Sequence, residues 1–133
     1  MDSSDFEKYK SSQTFHYDLD DYCAMKFFFY LTDVDINDGP HVCISGSHKS
    51  KKFLHRILRG IYNENKMIDF YKKDNVKFIY GNSGYGFVED IFIMHKGLTP
   101  IKNDRLILII EYALSDYDMQ HDRIQESPLK SIS

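Results

Sequence analysis

The 133-residue chain predicts a mainly β domain, an antiparallel sandwich or barrel with one helical insertion, and three observations carry that expectation. Five or six short stretches of strand character are separated by turn formers rather than by amphipathic helices. Helical periodicity is confined to one region between Lys49 and Lys73, and no segment repeats. With 42% hydrophobic and 15% aromatic residues, the chain has enough apolar mass for one ordinary core.

The elements follow in order. Residues 1–12 are polar and weakly patterned, a lead-in to a core expected over 13–114, with 115–133 as a polar tail. "MKFFFYLTDV", Met25 to Val34, runs into Asp33, Asp35, Asn37, Asp38 and Gly39, a dense set of turn formers. It reads as a strand buried on both faces entering a loop. "HVCIS" is a second short strand. Phe53, Leu54, Ile57, Leu58 and Ile61 recur at helical spacing and "KMIDFYKK" follows, which predicts two short helices or one broken near Gly60. "VKFIY", "GFVEDIFIM" and "DRLILIIEYAL" restore strand character, with Gly81, Gly84 and Gly86 in the first gap and Pro100 and Asn103 in the second. "GNSGYG" joins two strands without opening a helix, so a hairpin turn is expected there rather than a phosphate-binding loop.

A net charge of -3 and a pI near 6.0 supply no basic field for nucleic acid or for an anionic membrane surface, which leaves small-molecule or protein partners. Cys23 and Cys43 lie in apolar stretches without CxxC spacing and read as buried free thiols in a reducing cytoplasm. No apolar run approaches the roughly 20 residues of a membrane span, and "MDSSDFEKYK" lacks the order of a signal peptide. A cytoplasmic protein is the expectation.

The chemistry-bearing stretch is "SSQTFHYDLDDY", with His16 and Asp18 two residues apart. In an extended chain residues i and i+2 share a face, so both can approach one ion, and a histidine from a facing strand can close the set. His95, at the end of an apolar strand, is the candidate. Two histidines and a carboxylate with open coordination positions are the ligand set of non-haem Fe(II) oxygenases. By spacing alone, satisfied surface or core histidines remain the alternative. Arg105 opens the last strand, and its planar guanidinium could grip a carboxylate through two parallel hydrogen bonds, although strand-end arginines are common. Gln13 and Lys26 could point toward such a site or simply pack. His41, His55 and His121 have no partner at useful spacing, and His48 in "SGSHKS" suits a structural hydrogen bond.

Two stretches, "FHYDLDDYCAMKFFFYLTDVDINDGPHVCISGSHKS" and "YGNSGYGFVEDIFIMHKGLTPIKNDRLILIIEY", together resemble the catalytic core of the phytanoyl-CoA dioxygenase family over roughly residues 13–113. The His-X-Asp triplet, the "DGPHVCISGSHK" segment and a distal His followed ten residues later by Arg carry the likeness. The resemblance implies a double-stranded β-helix, a cupin-like jelly roll with a helical insertion. It implies Fe(II) held by His16, Asp18 and His95, with 2-oxoglutarate as cosubstrate anchored by Arg105. Thr99 is a possible helper, since Gly97 stands where a serine can stand in the family. The reaction implied consumes O2 and 2-oxoglutarate, hydroxylates a small organic substrate and releases succinate and CO2. The carboxylate of Asp18 points to hydroxylation, because related halogenases carry a small residue there.

Family members carry a substantial segment before His-X-Asp, whereas twelve mostly polar residues precede Gln13 here, so the chain reads as short at its N-terminus. A truncated or inactive relative acting as an interaction module is therefore the competing expectation, with self-association through an uncovered sheet edge at the apolar "KFFFYLT". A metal-binding sugar-processing cupin would leave Arg105 without a role.

Overall fold

The computed structural model describes residues 13–51 and 64–115, which form six strands and one α-helix. In chain order they are β1 (Ala24–Tyr30), β2 (His41–Ile44), α1 (Glu64–Tyr71), β3 (Val76–Ile79), β4 (Gly86–Asp90), β5 (His95–Gly97) and β6 (Ile107–Ala113). They build two three-stranded antiparallel sheets, β4-β1-β6 and β3-β2-β5. His55 and His121 lie outside the described residues, as do residues 52–63 of the predicted insertion, the lead-in and nearly all of the tail.

The two sheets face each other through alternate residues. On β1 these are Lys26, Phe28 and Tyr30, and the Tyr30 hydroxyl crosses the gap to donate to the Ile79 carbonyl at 2.6 Å. Phe28 stacks on its register neighbour Phe87 of β4, with centroids 4.7 Å apart and planes 4° from parallel. The His41 ring of β2 meets Phe28 at 5.0 Å and Phe87 at 5.2 Å. All four β2 residues are buried because the strand is covered on both sides. His41 and Cys43 look across the gap, while Val42 and Ile44 enter a hydrophobic core with Phe15, Tyr17, Met67, Tyr71 and Met94. Met67 and Tyr71, four apart on α1, supply that helix's buried stripe.

Among the described residues the second sheet is thus backed by a core, and the first is not. Met25, Phe29, Val88, Leu108, Ile110 and Tyr112 line the outer face of β4-β1-β6, from 37% exposed at Phe29 to 67% at Tyr112. "MKFFFYLTDV" was expected to be buried on both faces; among the described residues β1 is buried on one. A period-2 strand that is apolar on both faces does not reveal which face finds cover.

Two further expectations change. "GNSGYG" leads from β3 to β4, which belong to different sheets, so it is a crossing and not a hairpin. Its tight turn uses Gly84 at φ +90°, with Tyr85 N–H donating to the Asn82 carbonyl. Cys43 is buried as expected, but Cys23 is exposed; both are free thiols. No helix among the described residues is long and apolar enough to cross a membrane.

Candidate metal centre

His16 and Asp18 reach the gap because their neighbours do not. Phe15 and Tyr17 are buried in the core, so the alternating residues of this extended segment project the other way. The segment is stitched beside β5: His16 N–H donates to the His95 carbonyl at 3.0 Å, His95 N–H returns to the His16 carbonyl at 2.8 Å, and Asp18 N–H donates to the Ile91 carbonyl at 2.9 Å. Just beyond, the buried Asp21 carboxylate accepts from the N–H groups of Leu114 and Ser115, both at 2.6 Å, tying the end of β6 to the same segment. Residues 79 positions apart in sequence are thereby opposed in one ladder.

His16, Asp18 and His95 form the one group of potential metal ligands of this kind among the described residues, with one donor atom from each lying within 4.8 Å of the others. Asp18 Oδ1 is 3.8 Å from His16 Nε2, and Asp18 Oδ2 is 3.6 Å from His95 Nε2. Ligand bonds of about 2.1 Å at right angles put donors ~3 Å apart, so only a small closure by side-chain rotation separates this arrangement from a coordination set. The tautomers also fit. His16 Nδ1 lies 2.7 Å from the Thr14 carbonyl and His95 Nδ1 lies 3.1 Å from the Ile93 carbonyl. Since a carbonyl only accepts, each Nδ1 carries a proton, and Nε2 is the nitrogen that each ring turns to the common point. Burial pushes the His95 imidazole down to about 4, against the opposing charges of Glu89 and Asp18, which keeps it neutral and able to donate near pH 7.

A cation already attends the carboxylate. Lys26 Nζ is 2.6 Å from Asp18 Oδ2, 2.7 Å from Asp20 Oδ2 and 3.4 Å from Glu111 Oε2. Burial opposes ionisation of Asp18, but the charges of His95 and Lys26 and the Lys26 hydrogen bond outweigh it and hold the carboxyl below its usual range. With His95 neutral near pH 7, Lys26 is the lasting counter-charge. Its own pKa is raised, burial being outweighed by hydrogen bonds to Asp18 and Asp20.

Behind the triad lies a pair the spacing did not reveal. Glu89, on the inward face of β4, is buried, with Oε2 at 2.8 Å from His41 Nε2 and Oε1 at 3.1 Å from His95 Nδ1. His41 therefore has a partner after all, 48 residues away in sequence. The available signal was the acid itself, a carboxylate inside the otherwise apolar strand "GFVEDIFIM". His48 differs from expectation as well: its Nδ1 is buried without a hydrogen-bond partner among the described residues.

Arg105 is part-buried at the other end of the gap. Its Nη1 donates to the Gly39 carbonyl, and its guanidinium bears on the Tyr30 hydroxyl, whose pKa is nevertheless raised by burial. Gly39 is required here: at φ +70° a Cβ would stand 2.5 Å from the Leu98 carbonyl oxygen. Asp38 fixes the same corner by accepting from Asn103 N–H at 3.1 Å and Asp35 N–H at 3.0 Å. Thr99 is exposed on the loop between β5 and β6.

Neither a family model nor a curated protein sequence matches the chain. Solved structures do. EctD from S. alaskensis with 2-oxoglutarate and 5-hydroxyectoine aligns at a TM-score of 0.51 and 20% identity, over 70% of this chain and 32% of that one. The fold is a jelly roll. Apo EctD from the same organism aligns at 0.50 with the same identity and coverage. This chain thus matches about a third of the length of EctD, and at such identity the likeness concerns the fold.

Proposed function

We propose that the chain is an Fe(II)- and 2-oxoglutarate-dependent dioxygenase related to the phytanoyl-CoA dioxygenase family, hydroxylating a small organic substrate with release of succinate and CO2. The convergence of His16, Asp18 and His95, with both Nδ1 positions turned to backbone carbonyls, carries the reading. Two imidazoles and a carboxylate suit Fe(II) and leave positions for cosubstrate and O2. EctD, which shares the fold, was solved with 2-oxoglutarate, and this favours the same cosubstrate.

Bound iron would supply the redox chemistry that couples decarboxylation of 2-oxoglutarate to hydroxylation. The chain's own residues do the rest. Lys26 keeps Asp18 ionised and has Asp20 and Glu111 as further partners whichever Asp18 oxygen a metal takes. Arg105 has donors left beyond the one engaged with Gly39, and these bind the far carboxylate of 2-oxoglutarate. Phe28, Phe87 and Tyr30 make the middle of the gap apolar, which excludes water from the reacting groups. Thr99, on the loop between β5 and β6, is the second candidate for holding the cosubstrate.

A second reading, a non-catalytic interaction module, draws on the exposed apolar outer face of β4-β1-β6. Anaerobic addition of Fe(II) and then 2-oxoglutarate separates the two. The weak visible charge-transfer band of the chelate is expected; a folded protein that gives none overturns the oxygenase reading.

A further inference from the structure

We infer that Glu89 is the positioning carboxylate of the metal centre, taking the Nδ1 proton of His95 as a hydrogen bond when a metal binds Nε2, with His41 clamping its other oxygen. The inference rests on the metal-site reading above and extends it to two residues outside the ligand set. The His95 Nδ1–H has two acceptors at the same distance, the Ile93 carbonyl and Glu89 Oε1, both 3.1 Å away. It is directed at the carbonyl, and Oε1 is left as a buried carboxylate oxygen without a hydrogen-bond partner among the described residues.

Such an oxygen is costly, because ionised carboxylates are stable in an interior only when their lone pairs are satisfied. Oε2 is satisfied by His41 Nε2 at 2.8 Å, and the His41 ring is in turn held between Phe28 and His95, with centroids 5.0 and 5.4 Å away. Glu89 therefore cannot turn Oε1 away from His95 without giving up its hydrogen bond to His41. A divalent cation on Nε2 withdraws electrons from the imidazole and makes its N–H a stronger donor, and a stronger donor prefers the ionic acceptor over the neutral one. A small rotation of the ring satisfies both groups at once. The metal thus gains a more basic histidine fixed in one orientation, and the buried carboxylate gains the partner it lacks.

Zn(II), which is diamagnetic, tests the hydrogen bond in the wild-type protein by nitrogen-15 and proton NMR of labelled histidines. On addition of Zn(II) the His95 Nδ1 proton should move downfield, as a carboxylate-bonded imidazole proton does. A proton that stays in place while Zn(II) is bound overturns the inference. Anaerobic Fe(II) titration tests the consequence. Glu89→Gln keeps the shape and removes the charge, and should weaken binding by about 10 to 100-fold; Glu89→Asp should recover part of the loss. Unchanged affinity in Glu89→Gln, with His95→Ala no longer binding, sinks this inference alone. Failure of the wild-type protein to bind Zn(II) or Fe(II) at all would overturn the metal-site reading and this one with it.

Discussion

The two ends of the gap between the sheets are prepared differently. At one end, Asp18 and two imidazoles converge on a point before any ligand arrives, with their tautomers set by the Thr14 and Ile93 carbonyls. At the other, four residues further along β1 or roughly 13 Å of strand, Arg105 has given a donor to the Gly39 carbonyl and lies against Tyr30. The first end pairs part-buried charge with charge. The second spends a cation on neutral oxygens, which a carboxylate ligand would readily outcompete. The difference suits a resident metal at one end and an exchanging anion at the other.

The largest effect expected is at the metal end. His95→Ala should reduce Fe(II) affinity by at least about a hundredfold, since it removes one of three protein ligands, and Asp18→Ala should come close to it. Anaerobic titration calorimetry measures both. Affinity retained in His95→Ala would erase the distinction between the ends.

The next effect separates them. Arg105→Leu should leave Fe(II) binding within about twofold, while the affinity for 2-oxoglutarate falls at least about tenfold, matching ~1.5 to 3 kcal/mol for charged hydrogen bonds. Titration of the charge-transfer band reads this directly. Equal loss of iron and cosubstrate would make the gap one cooperative site.

Acidification should act on the metal end without any ligand. His95 has an ordinary unfolded pKa of about 6.5 but is held at about 4 when folded, burial being the main cause. Between those values the unfolded chain binds a proton that the folded chain does not. Stability of the metal-free protein should therefore fall as pH drops from 6.5 to 4, by up to ~1.4 kcal/mol per pH unit from this group. Urea melts of wild type and His95→Gln give the difference. A His95→Gln profile as steep as wild type would place the acid sensitivity elsewhere.

The smallest effect lies outside the gap. Ile110→Ser, on the outer face of the first sheet, should change unfolding stability by less than about 0.5 kcal/mol. It should also reduce any self-association seen by light scattering. Ile44→Ala, beneath the second sheet, should cost about 2 to 5 kcal/mol. A large loss in Ile110→Ser would mean that this face is packed in the folded protein.

Much of the site was legible in the sequence because its strongest pieces are local. His16 and Asp18 share a face through strand geometry alone, and Phe15 and Tyr17 between and beside them announce which way the other face turns. His95 stood out as a histidine closing an apolar strand. Glu89 and His41 were missed for the opposite reason: neither has a neighbour in sequence that gives it meaning, and only the pairing of β1 with β4 and of β2 with β5 brings them together.

By itself, the sequence determined what depends on neighbouring residues: strand character, the run of turn formers ending at Gly39, the helical segment "KMIDFYKK", and the shared face of His16 and Asp18. Only the tertiary structure decided what depends on which surfaces meet. A strand such as "KFFFY" is apolar on both sides, and its own pattern cannot say that one side receives Phe87 and His41 while the other stays open. Nor can it say that Lys26, a residue that ordinarily seeks water, turns inward to three carboxylates contributed by the His-X-Asp segment and β6. Alternation fixes relative direction along a strand, whereas absolute direction is set by long-range burial and charge pairing, which exist only once the sheets have closed.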